Sequence, residues 1–179
     1  MLAHPLGDGA EMRALEPWQA GEFAAHVARD RAHLAPYIPW ALTVVDEESA
    51  RAFLQAFAER QARDDGRIYG IWLDGRLVGG TLFRVFDARF GVCEIGVWLS
   101  SEAQGRGLIT TAARHMVDWA LGPRGMARVE WRTMPGNERS VAVAKRLGMN
   151  LEGTLRSVFP HNGERHDLQV WALLAGDVA

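Results

Sequence analysis

Apolar positions along the chain switch several times between a period of two and a period near 3.6. Glu11 to Leu15 alternates and predicts a short first strand. Pro17 then opens a helix running to about Asp30, with Trp18, Phe23 and Val27 recurring on one face. The stretch Arg31 to Trp40 holds His33, Leu34, Tyr37, Ile38 and Trp40, but Pro36 and Pro39 forbid a long helix there. Asp46 caps a second helix whose body, Ser49 to Arg63, turns Phe53, Leu54, Phe57 and Ala58 inward. Arg67–Leu73 and Arg76–Phe86 flank Asp74-Gly75, a two-residue hairpin signal, and Val92–Leu99 follows the loop Asp87–Gly91 as a further strand. A helix is predicted over Leu108–Leu121, with Ala112, Ala113, Met116, Trp119 and Ala120 inward. Arg128–Met134 reads as a strand, and Asn137 starts a helix ending at Leu147-Gly148. Asn150–Val158 and Arg165–Leu174 close the pattern as a hairpin turning at Asn162-Gly163.

The order β-α-α-β-β-β-α-β-α-β-β predicts a mixed α+β domain of about seven strands. An antiparallel meander leads into a strand–loop–helix–strand unit that favours parallel pairing. No repeat, low-complexity tract or linker interrupts it, and 179 residues fit one domain over 1–179. Hydrophobic residues at 48% and charged residues at 23% exclude a disordered chain. Cys93 is the only cysteine, so no internal disulfide forms and a reducing cytoplasm is expected. Met1 to Ala10 lacks the basic start and apolar core of a signal peptide, and no apolar run approaches the roughly 20 residues of a membrane span. Twenty basic against 22 acidic residues argues against a nucleic-acid partner. Lys145 is the only lysine, which reads as codon bias towards arginine; avoidance of self-modification at lysine is the alternative.

The chemistry concentrates after Leu99, in Gln104-Gly105-Arg106-Gly107 ahead of a helix. Glycine lets main-chain N–H groups converge, and a helix N-terminus adds unpaired donors and positive dipole. Arg106 adds a formal charge. Such a segment is either a tight turn or a phosphate site. Thr110 stands where a dinucleotide fingerprint needs glycine, and the lysine of a P-loop is absent. Cys93 lies mid-strand without a neighbouring histidine and reads as an inert thiol. No Gly-x-Ser-x-Gly elbow supports a serine hydrolase. His161, Glu164 and His166 lie on both sides of the Asn162-Gly163 turn, a poor zinc pattern, so no metal is expected. Trp72, Trp119, Trp131 and Trp171 fall within regular elements and read as core or interface.

Gln104-Gly105-Arg106-Gly107-Leu108-Ile109 resembles the acyl-CoA pyrophosphate loop of the GNAT superfamily of N-acyltransferases: Gln or Arg, two residues, Gly, one residue, Gly or Ala. Gln104 and Gly107 match; Ile109 departs at the last position. Glu94-Ile95-Gly96-Val97-Trp98-Leu99 resembles the central strand of the RimJ/RimL-like branch. Asn137-Glu138-Arg139-Ser140 with Val143 to Met149 resembles its Asn-x-x-Ser helix. Leu151-Glu152-Gly153 with His166-Asp167 resembles its closing hairpin. The likeness runs from about residue 10 to 175.

The resemblance implies a mostly antiparallel twisted sheet with helices on both faces, splayed between the fourth and fifth strands where pantetheine inserts. It implies an N-acetyltransferase that moves an acetyl group from acetyl-CoA to a primary amine by direct attack in a ternary complex. The amine belongs to a protein N-terminus, a lysine, a peptide or a small molecule. By position, the main chain of Val97, Trp98 and Leu99 meets the pantetheine amides, and Gln104 and the N–H groups of Gly105, Arg106, Gly107, Leu108, Ile109 and Thr110 hold the pyrophosphate. Asn137 meets the pantetheine arm, Ser140 the sulfur, and the Leu99 N–H the oxyanion. Glu94 is either the general base or a carboxylate paired with an arginine across the sheet. Ser140 is either the acid that meets the leaving thiolate or a first-turn serine bonding the backbone. Trp40, with Tyr37, Phe90 and Phe159, forms a candidate aromatic acceptor pocket. His166 lines the acceptor cleft or orients the closing hairpin. Succinyl-CoA is the alternative donor, read by Arg84, Arg89 or Arg156; a CoA-binding module without turnover and a nucleotide-binding module are the competing classes. The branch also implies a homodimer.

Overall fold

The computed structural model describes residues 3–177. Eight strands hydrogen-bond in the order β1-β2-β3-β4-β5-β6-β8-β7. They are β1 (His4–Gly7), β2 (Ala10–Ala14), β3 (Arg67–Leu73), β4 (Arg76–Asp87), β5 (Val92–Leu99), β6 (Arg128–Thr133), β7 (Asn150–His161) and β8 (Glu164–Leu174). The helices are α1 (Ala20–Leu34), α2 (Trp40–Thr43), α3 (Glu47–Ala62), α4 (Leu108–Leu121) and α5 (Glu138–Arg146). This is the expected mixed α+β sheet with one strand more than the pattern predicts.

The extra strand is β1, joined to β2 through Asp8-Gly9, whose φ values of 50° and 76° repeat the turn seen at Asp74-Gly75 (50° and 78°). His4–Gly7 carries Pro5 and Gly7 and no alternation, so periodicity cannot reveal it. The segment from Pro17 also differs. Pro17–Gln19 forms a 3-10 turn closed by Glu16 and Gln19, and the α-helix proper starts at Ala20. Trp18 therefore leaves the inner face and is 74% exposed. Helix α1 runs on to Leu34, beyond the predicted end, because Pro36 lies just past it. The prolines then permit only the four-residue α2.

The chain divides into two compact units, Met1–Leu82 with Val97–Ala112 and Phe83–Gly96 with Ala113–Ala179. In the first, Phe23, Val27 and Leu34 of α1 and Leu54 and Phe57 of α3 bury against Ile68, Trp72 and Leu77 of β3 and β4. Asp46 caps α3 by accepting from the Ser49 N–H at 2.8 Å. In the second, Phe83, Phe86 and Trp119 pack with ring centroids 5.1–5.6 Å apart, and Arg124 covers two of these rings.

Strands β5 and β6 run parallel, as the strand–loop–helix–strand pattern predicts. Their register extends from Val92↔Arg128 to Ile95↔Trp131. It goes no further, although β5 continues to Leu99 and β6 to Thr133.

Candidate active site

In the first unit, β5 ends on a buried polar cluster. The Trp98 indole N–H donates to His26 Nε2 at 3.1 Å, and Ser100 Oγ donates to Asp30 at 2.7 Å. The Ser100 N–H donates to the Val78 carbonyl at 2.7 Å. Burial pushes the His26 imidazole down to about 4, against a partial lift from Asp30, so it is neutral near pH 7. Nε2 accepts from the indole, and Arg29 Nη2 stands 3.1 Å from Nδ1. This cluster fixes the strand segment Val97 to Ser100.

The turn that follows is shaped by glycine. Gly105 and Gly107 have φ of 79° and 74°, and a Cβ on either would meet nothing within 4 Å. Conformation rather than crowding therefore demands glycine here. Gln104 holds the turn to α1 through a 2.9 Å contact with His33 Nε2. The first intrahelical bond of α4 is Thr111 N–H to the Gly107 carbonyl, so the N–H groups of Leu108, Ile109 and Thr110 precede the ladder and have no intrahelical acceptor. Arg106 is exposed and makes no ion pair among the described residues. Consecutive free donors, a helix dipole and a free guanidinium are the donor set a pyrophosphate needs, so these residues fit the phosphate arm of CoA.

The second unit carries the acid–base candidates. Glu94 is only 6% exposed, and Arg84 stands 3.0 Å and Arg132 3.8 Å from its two oxygens. Burial pushes its carboxyl above the usual carboxylate range; Arg84 and Arg132 pull the other way, and Glu130 pushes up again. Glu94 is thus paired across the sheet with Arg84 and Arg132, while burial pushes its carboxyl upward. Arg84, a candidate succinyl reader, is engaged by this pair.

Ser140 does not bond the backbone through its hydroxyl, as one sequence reading had it. Its Oγ accepts from the Trp131 indole N–H at 2.9 Å, which leaves the hydroxyl proton to be donated elsewhere. Its N–H donates to Asn137 Oδ1 at 3.2 Å, so Asn137 caps α5. Trp131, read as core, is the partner the sequence did not reveal. Cys93 is buried and its thiol is pushed up to about 12, by burial first and by Glu130 second, which makes it a poor nucleophile.

Of the aromatic acceptor candidates, Trp40 and Tyr37 belong to the first unit and Phe90 and Phe159 to the second. Trp40 packs in the first unit, with ring centroids 5.3 Å from both Trp98 and Phe53, while Tyr37 is half exposed. In the second, Phe159 pairs with His166 across the β7–β8 hairpin. Phe90 is 71% exposed and precedes β5, where the ladder leads through Arg128 to Leu174. Along β8, Leu174 and His166 are roughly 25 Å apart. His166 Nε2 donates to the His161 carbonyl at 3.2 Å and Asp167 accepts the Ser157 N–H at 2.8 Å, so this pair orients the hairpin. Among the described residues no group of three or more His, Cys, Asp or Glu could hold a metal ion.

A mixed sheet with a parallel β5–β6 pair, and a glycine turn at a helix N-terminus after β5, fit an acyl-CoA-dependent transferase. Comparison with known proteins agrees. The family described as "Acetyltransferase (GNAT) domain" matches residues 11–150. A Bacillus subtilis protein, "Putative ribosomal N-acetyltransferase YdaF", is 31% identical over 97% of this chain and 96% of its own length. The "Ribosomal-protein-serine acetyltransferase" of Escherichia coli is 25% identical over 82% of each chain. A solved structure of RimL, a ribosomal L7/L12 alpha-N-protein acetyltransferase in complex with coenzyme A, superposes with a TM-score of 0.92 at 22% identity, covering 98% of this chain and 99% of that one. The chain belongs to the GNAT family of acetyltransferases. Its activity is N-acetyl transfer from acetyl-CoA to an amine.

Proposed function

We propose that the acceptor is the N-terminal α-amino group of a protein, and that the chain acts on it as a single domain. The observation that carries this reading is the end-to-end likeness to a putative ribosomal N-acetyltransferase, at 31% identity. The weaker likeness to a ribosomal-protein-serine acetyltransferase points to a small first residue.

Acetyl-CoA, when bound, supplies an acetyl thioester. The N–H groups from Gly105 to Thr110, with Arg106, hold its pyrophosphate, and Gln104 keeps the turn in place. The main chain of Val97, Trp98 and Leu99 meets the pantetheine amides; the Trp98–His26 and Ser100–Asp30 hydrogen bonds that hold this segment support that role. Asn137 uses Oδ1 for the helix cap and offers its amide N–H₂ to the same arm. Glu94 takes a proton from the acceptor's ammonium, directly or through water, leaving the free amine to attack the thioester carbonyl, and its raised pKa suits it to that. The Leu99 N–H stabilises charge on the acyl oxygen. Ser140, its oxygen already engaged by Trp131, donates its proton to the departing sulfur. Trp40 and Tyr37 border the acceptor.

A cytoplasmic location follows from the acyl-CoA donor. A homodimer is supported by Leu151, Leu155 and Val158, three exposed apolar side chains on the outermost strand β7, and light scattering tests it.

The deciding experiment offers acetyl-CoA and two synthetic peptides with internal lysine, one with a free N-terminal serine and one N-terminally blocked. Mass spectrometry then locates the acetyl group. Acetyl on the α-amine alone is the expected result. Acetyl on lysine, or none while calorimetry still shows acetyl-CoA binding, overturns the acceptor assignment.

A further inference from the structure

Glu94 and Glu130 stand directly opposite each other on the parallel strands β5 and β6. Two like charges side by side repel, and both residues are largely buried, so the arrangement needs a counter-charge. Arg132, two residues further along β6, could serve either carboxylate. It serves Glu130. Its Nε and Nη2 donate to one Glu130 oxygen at 3.1 and 2.9 Å, whereas its nearest approach to Glu94 is 3.8 Å, too long for a hydrogen bond. The other Glu130 oxygen accepts from Arg128 Nε at 2.8 Å, and Arg128 is itself clamped by two bonds to Glu152. Glu130 is therefore held rigidly from β6 and β7. Burial works against its ionisation, but the hydrogen bonds from Arg128 and Arg132 outweigh that and hold its carboxyl below the usual range.

We propose that Glu130 is a positioning residue for Glu94: standing beside it on the neighbouring strand, it keeps Arg132 on its own carboxylate and prevents that guanidinium from closing on Glu94. The inference rests on the reading of Glu94 as the base and extends it. A base fully paired with two arginines would be ionised but weak. A base facing only Arg84 at short range, with the Glu130 charge beside it, binds a proton more readily. The charged groups that face Glu94 are Arg84 from β4 and Arg132 and Glu130 from β6.

The test is a ¹³C NMR titration of the full chain labelled at glutamate Cδ, with the Glu94 signal assigned by its loss in Glu94→Gln. In Glu130→Gln the Glu94 midpoint moves down by about one pH unit, and in Arg132→Gln it moves up. Glu130→Asp, which keeps the charge, stays nearer the parent. A merely structural role for Glu130 would lower stability without opposite shifts in the two variants. Unmoved midpoints, or shifts of the same sign, overturn the inference. Turnover of a peptide with a free N-terminal serine, read as released thiol, tests the underlying reading separately. Glu94→Gln loses about 100-fold or more in kcat/KM together with the acid limb of its pH profile. If Glu94→Gln keeps its rate while the NMR shifts hold, Glu130 still governs Glu94 but the base reading falls.

Discussion

Replacing Gly80 by alanine tests how β4 and β5 are packed in the first unit. A Cβ built there would sit 2.3 Å from Cη2 and Cζ2 of Trp98 and 2.3 Å from the Tyr69 carbonyl oxygen. Each contact is about 1 Å short of an ordinary van der Waals separation. Neither neighbour can retreat. Tyr69 lies in β3, in register with Ala14 of β2. Trp98 is buried, bonded to His26, and edge-on to Trp40 at 5.3 Å and 85°. Overpacking of this kind costs about 1–3 kcal/mol, and two immobile partners put the cost near the top of that range. For a chain of this size a loss of about 3 kcal/mol lowers Tm by roughly 6–12 °C. The matched control is Gly153→Ala in β7, where a Cβ meets nothing within 4 Å. Alanine there leaves stability unchanged or raises it by up to about 1 kcal/mol. Thermal and urea unfolding of both variants decide the matter. A Gly80→Ala protein that melts within a degree of the parent, or one that shifts no more than Gly153→Ala, refutes the packing argument.

Three further outcomes are expected. His26 is neutral in the fold with a pKa near 4 and titrates near 6.5 when unfolded; its contribution is whole above pH 6.5 and fades by about 3 kcal/mol as pH falls to 4, so urea midpoints of His26→Gln measured across that window show a flatter pH dependence than the parent. Gly107→Glu sets bulk and negative charge at the mouth of α4 and abolishes acetyl-CoA binding in calorimetry; retained affinity would sink the pyrophosphate assignment. Asn137→Ala removes the α5 cap, costing about 1 kcal/mol of stability, and weakens acetyl-CoA binding by about 1–3 kcal/mol; an unchanged affinity reduces Asn137 to a cap.

Much of the fold was legible because its elements carry strong local signals. Asp74-Gly75 and Asn162-Gly163 adopt positive φ at both positions, and β3, β5 and α4 begin and end where alternation and helical spacing place them. β1 was not legible, since Pro5 and Gly7 erase alternation, although Asp8-Gly9 carried the turn. The local shape of the candidate site was legible at fixed spacing: Gln104 to Gly107 is a glycine turn, and Asn137 caps the helix that carries Ser140. The partners were not. Nothing in spacing joins Trp131 to Ser140, His26 to Trp98, or Glu130 to Arg132 as a guard on Glu94, because strand register and side-chain direction create those contacts. Phe90 and Phe159 were placed by aromatic type alone: Phe90 precedes β5, whose first residue leads through Arg128 to Leu174, whereas Phe159 pairs with His166.

Strand β5 shows why such a site is faint in sequence. The roles assigned to Val97, Leu99 and Gly105–Thr110 belong to main-chain N–H and carbonyl groups, which every residue but proline possesses. Identity is then constrained only where a side chain fixes the shape those groups must hold. Glu94 and Trp98 both lie in this strand, and each carries a polar atom into a buried setting that would cost about 1–3 kcal/mol if unpaired. Glu94 is answered by Arg84, Trp98 by His26. Those partners come from β4 and α1, far from the glycine turn in sequence. A motif that names the turn alone therefore finds the cofactor and misses what holds the strand feeding it.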